Sequence, residues 1–328
     1  MKENRLTGKV KLTKTEERKF DKVLNNDDYS QITGVNLDHV EYTLATFPPP
    51  KFCYRNLDES EKDEIILAVQ KKLTQTGLPL SGINDPLRWE KGWGEILEKV
   101  KNDKISLEIL RPQYFQHNTL RFRGNYIKVS EGSMEHVFFS TISRILFQRY
   151  LKGCQKIIEF GCGTGTNLVI LHELFPKAKL IGCDWASPSQ EILKIIATEL
   201  KAKIGGTRFN MLTLEGRENL TIDSGTAIIT MHAMEQLGMS FNSLLEYFLE
   251  NKPQIVFHIE PIFELYKPNQ LFDKLAIKYH EKRNYLKGYL PTLKKLEGKG
   301  KIEILEVRRF FFGGLFHEPY SLVAWKVK

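Results

Sequence analysis

Residues 157–166 read Ile-Ile-Glu-Phe-Gly-Cys-Gly-Thr-Gly-Thr, with Glu159 closing an apolar run and Gly161, Gly163 and Gly165 at alternate positions after it. Without a Cβ, such glycines let the backbone turn tightly and let a ligand approach it closely. A second apolar run ends in Cys183-Asp184, which puts Asp184 25 positions after Glu159. A carboxylate at a strand end can accept hydrogen bonds from both hydroxyls of a ribose. The pair points to a nucleoside-bearing ligand. A dinucleotide fingerprint spaces its glycines GxGxxG and seats pyrophosphate on a helix N-terminus. Here the spacing is GxGxG, and an acidic group just before the loop would repel pyrophosphate but could hold an amino group.

This combination resembles motif I of the class I S-adenosylmethionine-dependent methyltransferases, over roughly residues 150–328 and including a terminal pair of antiparallel strands. The resemblance implies that Glu159, Gly161, Gly163 and Gly165 surround the methionine portion of S-adenosylmethionine. It implies that Asp184 takes the ribose hydroxyls and Trp185 packs on the adenine. Asn210 and Met211, after the third strand, match the place where the family contacts adenine; many members carry Asp at the position of Asn210.

Transfer from a sulfonium is an in-line displacement, so the protein mainly positions the acceptor and excludes water, and a hydroxyl acceptor gains from a base. The residues for this belong at the ends of the fourth and fifth strands, in Thr230-Met231-His232-Ala233-Met234-Glu235-Gln236 and Phe257-His258-Ile259-Glu260-Pro261. His232, Glu235 and Glu260 are the candidate catalytic residues, with His232 first as base. His258 shares a strand face with Glu260 and equally fits a hydrogen-bonded core histidine. Tyr279-His280, Arg283-Asn284-Tyr285 and His317-Glu318 could border the same pocket. No His/acidic or Cys/His spacing matches a metal motif, so no metal is expected. The expected reaction is methylation of a small-molecule acceptor, foremost O-methylation of a sugar or secondary metabolite. An RNA or protein methyltransferase, and a non-catalytic cofactor-binding module, are the alternatives.

These residues need a doubly wound α/β frame. Short apolar strands at about 156–160, 179–183, 204–209, 225–231 and 254–259 alternate with helices near 166–175, 188–201 and 240–250, the pattern of a mostly parallel Rossmann-like sheet. Ser187 as N-cap, Pro188 at the first helical position and Gln190 three after the cap predict the second helix start. A long charged helix over 268–297 precedes two β-rich segments, 301–311 and 319–327, expected as an antiparallel pair at the sheet edge.

Residues 1–150 read as a mainly helical auxiliary or substrate-lid region before the cofactor-binding domain at 151–328. Residues 1–30 are polar and expected to be weakly ordered. Phe47-Pro48-Pro49-Pro50 is a stiff break. Asp58 or Ser60 caps a helix that stops near Gly77, 120–127 suggest a hairpin edge, and Met134 to Leu146 recur at helical spacing. Trp89, Trp93, Arg121, Arg123, Asn125 and Tyr126 are residues a substrate lid would use and equally those a packed auxiliary domain would contain.

The 41% hydrophobic content suits a packed core, and no run reaches the roughly 18 apolar residues of a membrane span. Four cysteines without a CxxC pair, and a charged N-terminus without an apolar leader, predict a reduced cytoplasmic protein. The net charge of +8 is local: 1–150 carry 24 basic against 21 acidic residues, whereas 267–309 carry 12 against 5. That excess, through Lys274, Lys278, Lys282, Arg283, Lys287, Lys294 and Lys295, reads first as a solvated helical face and second as a docking surface for a polyanion.

Overall fold

The computed structural model describes residues 20–75, 77–81, 86–112 and 117–328. The expected weakly ordered lead-in lies outside the described residues up to residue 19. From residue 20 onward the expectation is corrected. A short strand β1 (Lys22–Val23) leads into α1 (Asn26–Thr33), held by a reciprocal capping box between Asn25 and Asp28.

The N-terminal part continues with α2 (Leu37–Thr46), β2 (Cys53–Asn56), α3 (Glu59–Thr74), α4 (Pro86–Asn102), β3 (Thr119–Phe122), β4 (Asn125–Val129) and α5 (Met134–Tyr150). The proline run separates α2 from β2, and Asp58 caps α3 in a capping box with Glu61. The second half runs β5 (Lys156–Phe160), α6 (Thr166–Leu174), β6 (Lys179–Asp184), α7 (Ser187–Glu199), β7 (Ile204–Arg208), β8 (Thr226–Met231), α8 (Asn242–Asn251), β9 (Ile255–Glu260), α9 (Leu271–Arg283), α10 (Tyr289–Gly298), β10 (Ile302–Arg309), β11 (Phe312–Gly313) and β12 (Ser321–Val327).

Seven strands form the main sheet in the order β10-β12-β9-β8-β5-β6-β7. The five strands from β9 to β7 are parallel, and β12 runs antiparallel to both β9 and β10. The expected Rossmann-like sheet with a terminal antiparallel pair is the observed one. Chain order reverses at β5, between β6 and β8, so the crevice at their carboxyl ends is where an open α/β sheet binds ligands.

Two local expectations are corrected. The 268–297 stretch is not one helix: Asn284 in the left-handed region (φ 52°) ends α9, and α10 starts only after Gly288. Between them Leu286 N–H donates to the Glu235 carbonyl at 3.2 Å, so the break turns the chain back onto the crevice. At α7 the cap falls on Ala186 rather than Ser187, and Gln190 Nε2 donates to the Asp184 carbonyl at 3.3 Å instead of closing a capping box.

The N-terminal helices are joined by a small antiparallel sheet, β1-β2-β4-β3-β11, whose last strand comes from the C-terminal half. Phe312 on β11 stacks on Phe138 of α5 with centroids 3.6 Å apart, within a core cluster that also takes in Phe52 and Tyr320. Apolar packing therefore runs unbroken from the N-terminal helices into the main sheet, and most of α5, from Met134 to Phe147, is buried within it.

Candidate active site

The glycine loop rises from β5 and is tied to β6: Gly161 and Cys162 N–H both donate to the Cys183 carbonyl, at 2.7 and 3.0 Å. Gly161 has φ 76°, and a Cβ there would collide with that of Ala233 in the β8 loop. Gly163 (φ 52°) lies against the Trp93 indole of α4. These two glycines let three segments close on one another. Gly165 caps α6 and is covered by Leu193.

Glu159 is buried, and Asn167 of α6 donates to its Oε1 at 2.6 Å. Its Oε2 and the Asn167 Oδ1 are buried oxygens without a partner, and both residues line a cavity of about 70 Å³ under the glycine loop. Unpartnered buried polar atoms are costly. Two acceptors facing one small space match a bound ammonium. Burial lifts the Glu159 carboxyl to about 8, against the bond from Asn167.

Asp184 Oδ2 accepts from Gly163 N–H at 2.8 Å and Oδ1 from Ala186 N–H at 3.0 Å. Trp185 N–H also bonds to this carboxylate; of its about four acceptor positions, that leaves about one for a ligand hydroxyl. Burial raises Asp184 to about 6, held back by those backbone bonds. A second cavity, about 250 Å³, is lined by Asp184, Trp185, Asn210, Met211, Trp93 and Gln236. Asn210 Oδ1 is taken up by Leu212 N–H at 2.9 Å, so only its amide nitrogen is free to meet a base edge.

The ends of β8 and β9 diverge from expectation. Glu260 does not reach a cavity: it is fully buried, and it accepts from the N–H groups of Ala233, Met234 and Glu235 at 3.0, 3.0 and 3.2 Å. It holds the short 3-10 turn Met234–Leu237 by its N-terminus, so its assignment as catalytic is corrected to positioning. His258 is a core histidine, bonded to Thr230 Oγ1 at 2.8 Å, Tyr289 OH at 2.7 Å and Trp325 Nε1 at 3.2 Å. His232 leaves β8 with φ 55°, a conformation that concentrates at functional sites. It packs on Phe139 and Tyr320 at centroid distances of 5.2 and 4.8 Å. Burial drives its imidazole down to about 3. Burial thus favours the neutral imidazole.

A third cavity, about 200 Å³, opens on the far side of His232 and is lined by Glu135, Glu235, Arg283, Tyr285, His317 and Tyr320 among others. Trp89 and His232 border all three cavities, so the spaces meet at that pair. Burial, with repulsion from Glu260, raises Glu235 to about 8 against the pull of Arg283. Burial alone raises Glu135 to about 7, opposed by the Tyr320 hydroxyl. One wall is the stack of Tyr279 on Phe316, centroids 5.0 Å apart.

Of the N-terminal candidates, only Trp89 and Trp93 line these spaces, stacked on each other at 5.2 Å. Arg121 is buried and donates to the carbonyls of Phe272 and Leu315 at 2.9 and 3.2 Å. Tyr126 OH donates to that Leu315 carbonyl at 2.7 Å, Asn125 closes the hairpin turn, and Arg123 pairs with Asp28 at 2.8 Å. Arg283 is buried rather than part of a solvated basic face, whereas Lys274, Lys278, Lys282, Lys287, Lys294 and Lys295 are exposed. Glu135 escaped the sequence reading; the signal for it is an acidic residue inside the apolar run from Met134 to Phe139. Among the described residues no cluster of three or more His, Cys, Asp or Glu could hold a metal, and no helix is long and apolar enough to cross a membrane.

No family profile and no curated protein matches the sequence. Among solved structures, the chain is similar to the O-methyltransferase NcsB1 of neocarzinostatin biosynthesis, in complex with S-adenosylmethionine and 2-hydroxy-5-methyl naphthoic acid. That match has 12% identity and a TM-score of 0.39, and covers 60% of this chain and 58% of that one. A S-adenosylmethionine-dependent methyltransferase from Aquifex aeolicus matches at 14% identity and TM-score 0.37, over 56% and 88% of the two chains. A point mutant of MtNAS matches at 10% identity and TM-score 0.43, over 92% and 86%. Each is a likeness of fold.

Proposed function

We propose that this protein is a methyltransferase that binds S-adenosylmethionine along the β5–β6–β8 crevice and methylates a small-molecule acceptor, foremost at an oxygen of a sugar or secondary metabolite. The observation that carries the reading is the pair of unpartnered buried oxygens, Glu159 Oε2 and Asn167 Oδ1, in line with Asp184 across cavities that meet at His232 and Trp89. S-adenosylmethionine supplies an electrophilic methyl group on a sulfonium. Glu159 and Asn167 hold its ammonium, Asp184 the ribose hydroxyls, and Trp185, Asn210 and Met211 border the adenine. Trp89 and Trp93 close the crevice from the N-terminal region, which serves as lid and acceptor wall.

Ionised Glu159 is needed to hold an ammonium, and its carboxyl is largely protonated at pH 7 before ligand arrives. Binding therefore releases a proton, and affinity rises with pH up to about 8. Calorimetric titration with S-adenosylhomocysteine, in buffers of different ionisation enthalpy, is the test. Micromolar binding with release of up to about one proton at pH 7 is expected; NAD as control should not bind. Silence from S-adenosylhomocysteine in folded protein would overturn the reading.

A further inference from the structure

The chamber beyond His232 holds two carboxyl groups, and their surroundings differ. Glu235 Oε1 accepts from Gln236 Nε2 at 2.8 Å, and the carboxyl feels the charge of Arg283. Glu135, in the first turn of α5, is bonded through Oε1 to the Tyr320 hydroxyl at 3.2 Å. Burial and that hydroxyl are what set its proton affinity. Tyr320 in turn packs edge-on against His232, the residue where acceptor and cofactor spaces join. A buried carboxyl that lines a cavity next to the junction, with a neutral hydroxyl as its hydrogen-bond partner, has work for a ligand proton to do.

We propose that Glu135 is the general base, receiving the proton of an acceptor hydroxyl carried on a ring that lies between Trp89 and the Tyr279–Phe316 stack. The inference rests on the methyl-transfer reading above. In the step, the acceptor oxygen bonds to the methyl carbon as the carbon–sulfur bond breaks, and the bonding pair of that bond stays on sulfur. The hydroxyl proton passes to the Glu135 carboxylate, which later returns it to solvent.

The groups facing Glu135 across the chamber are these. His232 and Glu235 come from the β8 loop, Tyr279 and Arg283 from α9, Tyr285 from the turn after it, and His317 and Tyr320 from the segment before β12; Arg88 and His117 stand exposed at the mouth. Burial holds His232 and His317 neutral, leaving the carboxyls as the bases that match neutral pH. Of the two, Glu235 is already held by hydrogen bonds with Gln236 and Tyr285 and lies in the field of Arg283.

The test uses catechol, its dimethyl ether veratrole, and benzylamine as probes, titrated calorimetrically into protein saturated with S-adenosylhomocysteine at about pH 8.5. Catechol should bind about tenfold more tightly than veratrole, because only catechol offers a hydroxyl proton. Glu135→Gln should bring the two within about twofold, with S-adenosylhomocysteine affinity and thermal midpoint unchanged. In the wild type the preference should shrink as pH falls below about 7, the value for Glu135. Equal binding of catechol and veratrole, a preference that survives Glu135→Gln, tighter binding of benzylamine, or no ring binding up to about 10 mM would each overturn the assignment. A protein that ignores S-adenosylhomocysteine but still shows the Glu135-dependent preference sinks the methyl-transfer reading while leaving an acceptor-proton site at Glu135.

Discussion

The two sides of the crevice are built by different means. The cofactor side comes from consecutive strand ends of one sheet, β5, β6, β7 and β8, each turning into a loop at its carboxyl edge. The side proposed for the acceptor is assembled from α4, α5, α9, the loop after β8 and the segment before β12, which are remote in sequence and meet through tertiary packing. Both sides contain buried carboxyls with raised proton affinity. Burial therefore does not distinguish a structural carboxyl from a chemical one; the hydrogen bonds around it do. Glu260 is saturated by three backbone N–H groups, whereas Glu159 keeps an unpartnered oxygen and Glu135 borders open space.

The largest effect expected on either side is from Gly161→Val. The side chain would meet Ala233 in a left-handed backbone, and S-adenosylhomocysteine affinity should fall by about 100-fold or more by calorimetry. Retained affinity would mean the loop does not form the cofactor wall. Asp184→Ala comes next, with a loss of about 1–3 kcal/mol in the same titration if its oxygens take the ribose hydroxyls. An unchanged affinity moves the ribose elsewhere.

Glu260→Gln sharpens the contrast among carboxyls. It replaces an acceptor oxygen by a donor opposite backbone N–H groups, and denaturant unfolding should report about 1–3 kcal/mol of lost stability. Glu135→Gln, by the same measurement, should cost little, because Gln can still accept from Tyr320. Equal losses would erase the distinction drawn between the two.

The smallest effect is a pH dependence. Asp184 has its carboxyl raised to about 6 by burial, and the ionised form accepts ligand hydroxyls. In Glu159→Gln protein, where the higher titration is removed, affinity for S-adenosylhomocysteine should be flat above about pH 7 and fall as pH drops through about 6. A flat profile down to about pH 5 would show that Asp184 stays ionised throughout.

The strand ends and the glycine turn that line the crevice were legible because their signals are local. Glu159, the glycines and Asp184 fall at strand ends, and strand ends are marked by apolar runs of fixed period. The helix break at Asn284 was less visible, since Lys, Glu and Leu around it all favour helix while one left-handed residue stops it. Arg283 shows the same limit: the sequence left it between a solvated basic face and the border of the pocket, and the structure buries it at the cavity wall.

By itself the sequence determined the alternating strands and helices from β5 to β9, the glycine turn and the acidic residues that flank it, because each follows from neighbours within a few positions. Tertiary structure decided which carboxyl is capped by backbone N–H groups and which lines a cavity. Glu260 meets the N–H groups of residues 25 to 27 positions away, and Glu135 meets Tyr320 across 185. A side chain's proton affinity and partners are set by what surrounds it in space, and for these residues the surroundings come from distant parts of the chain.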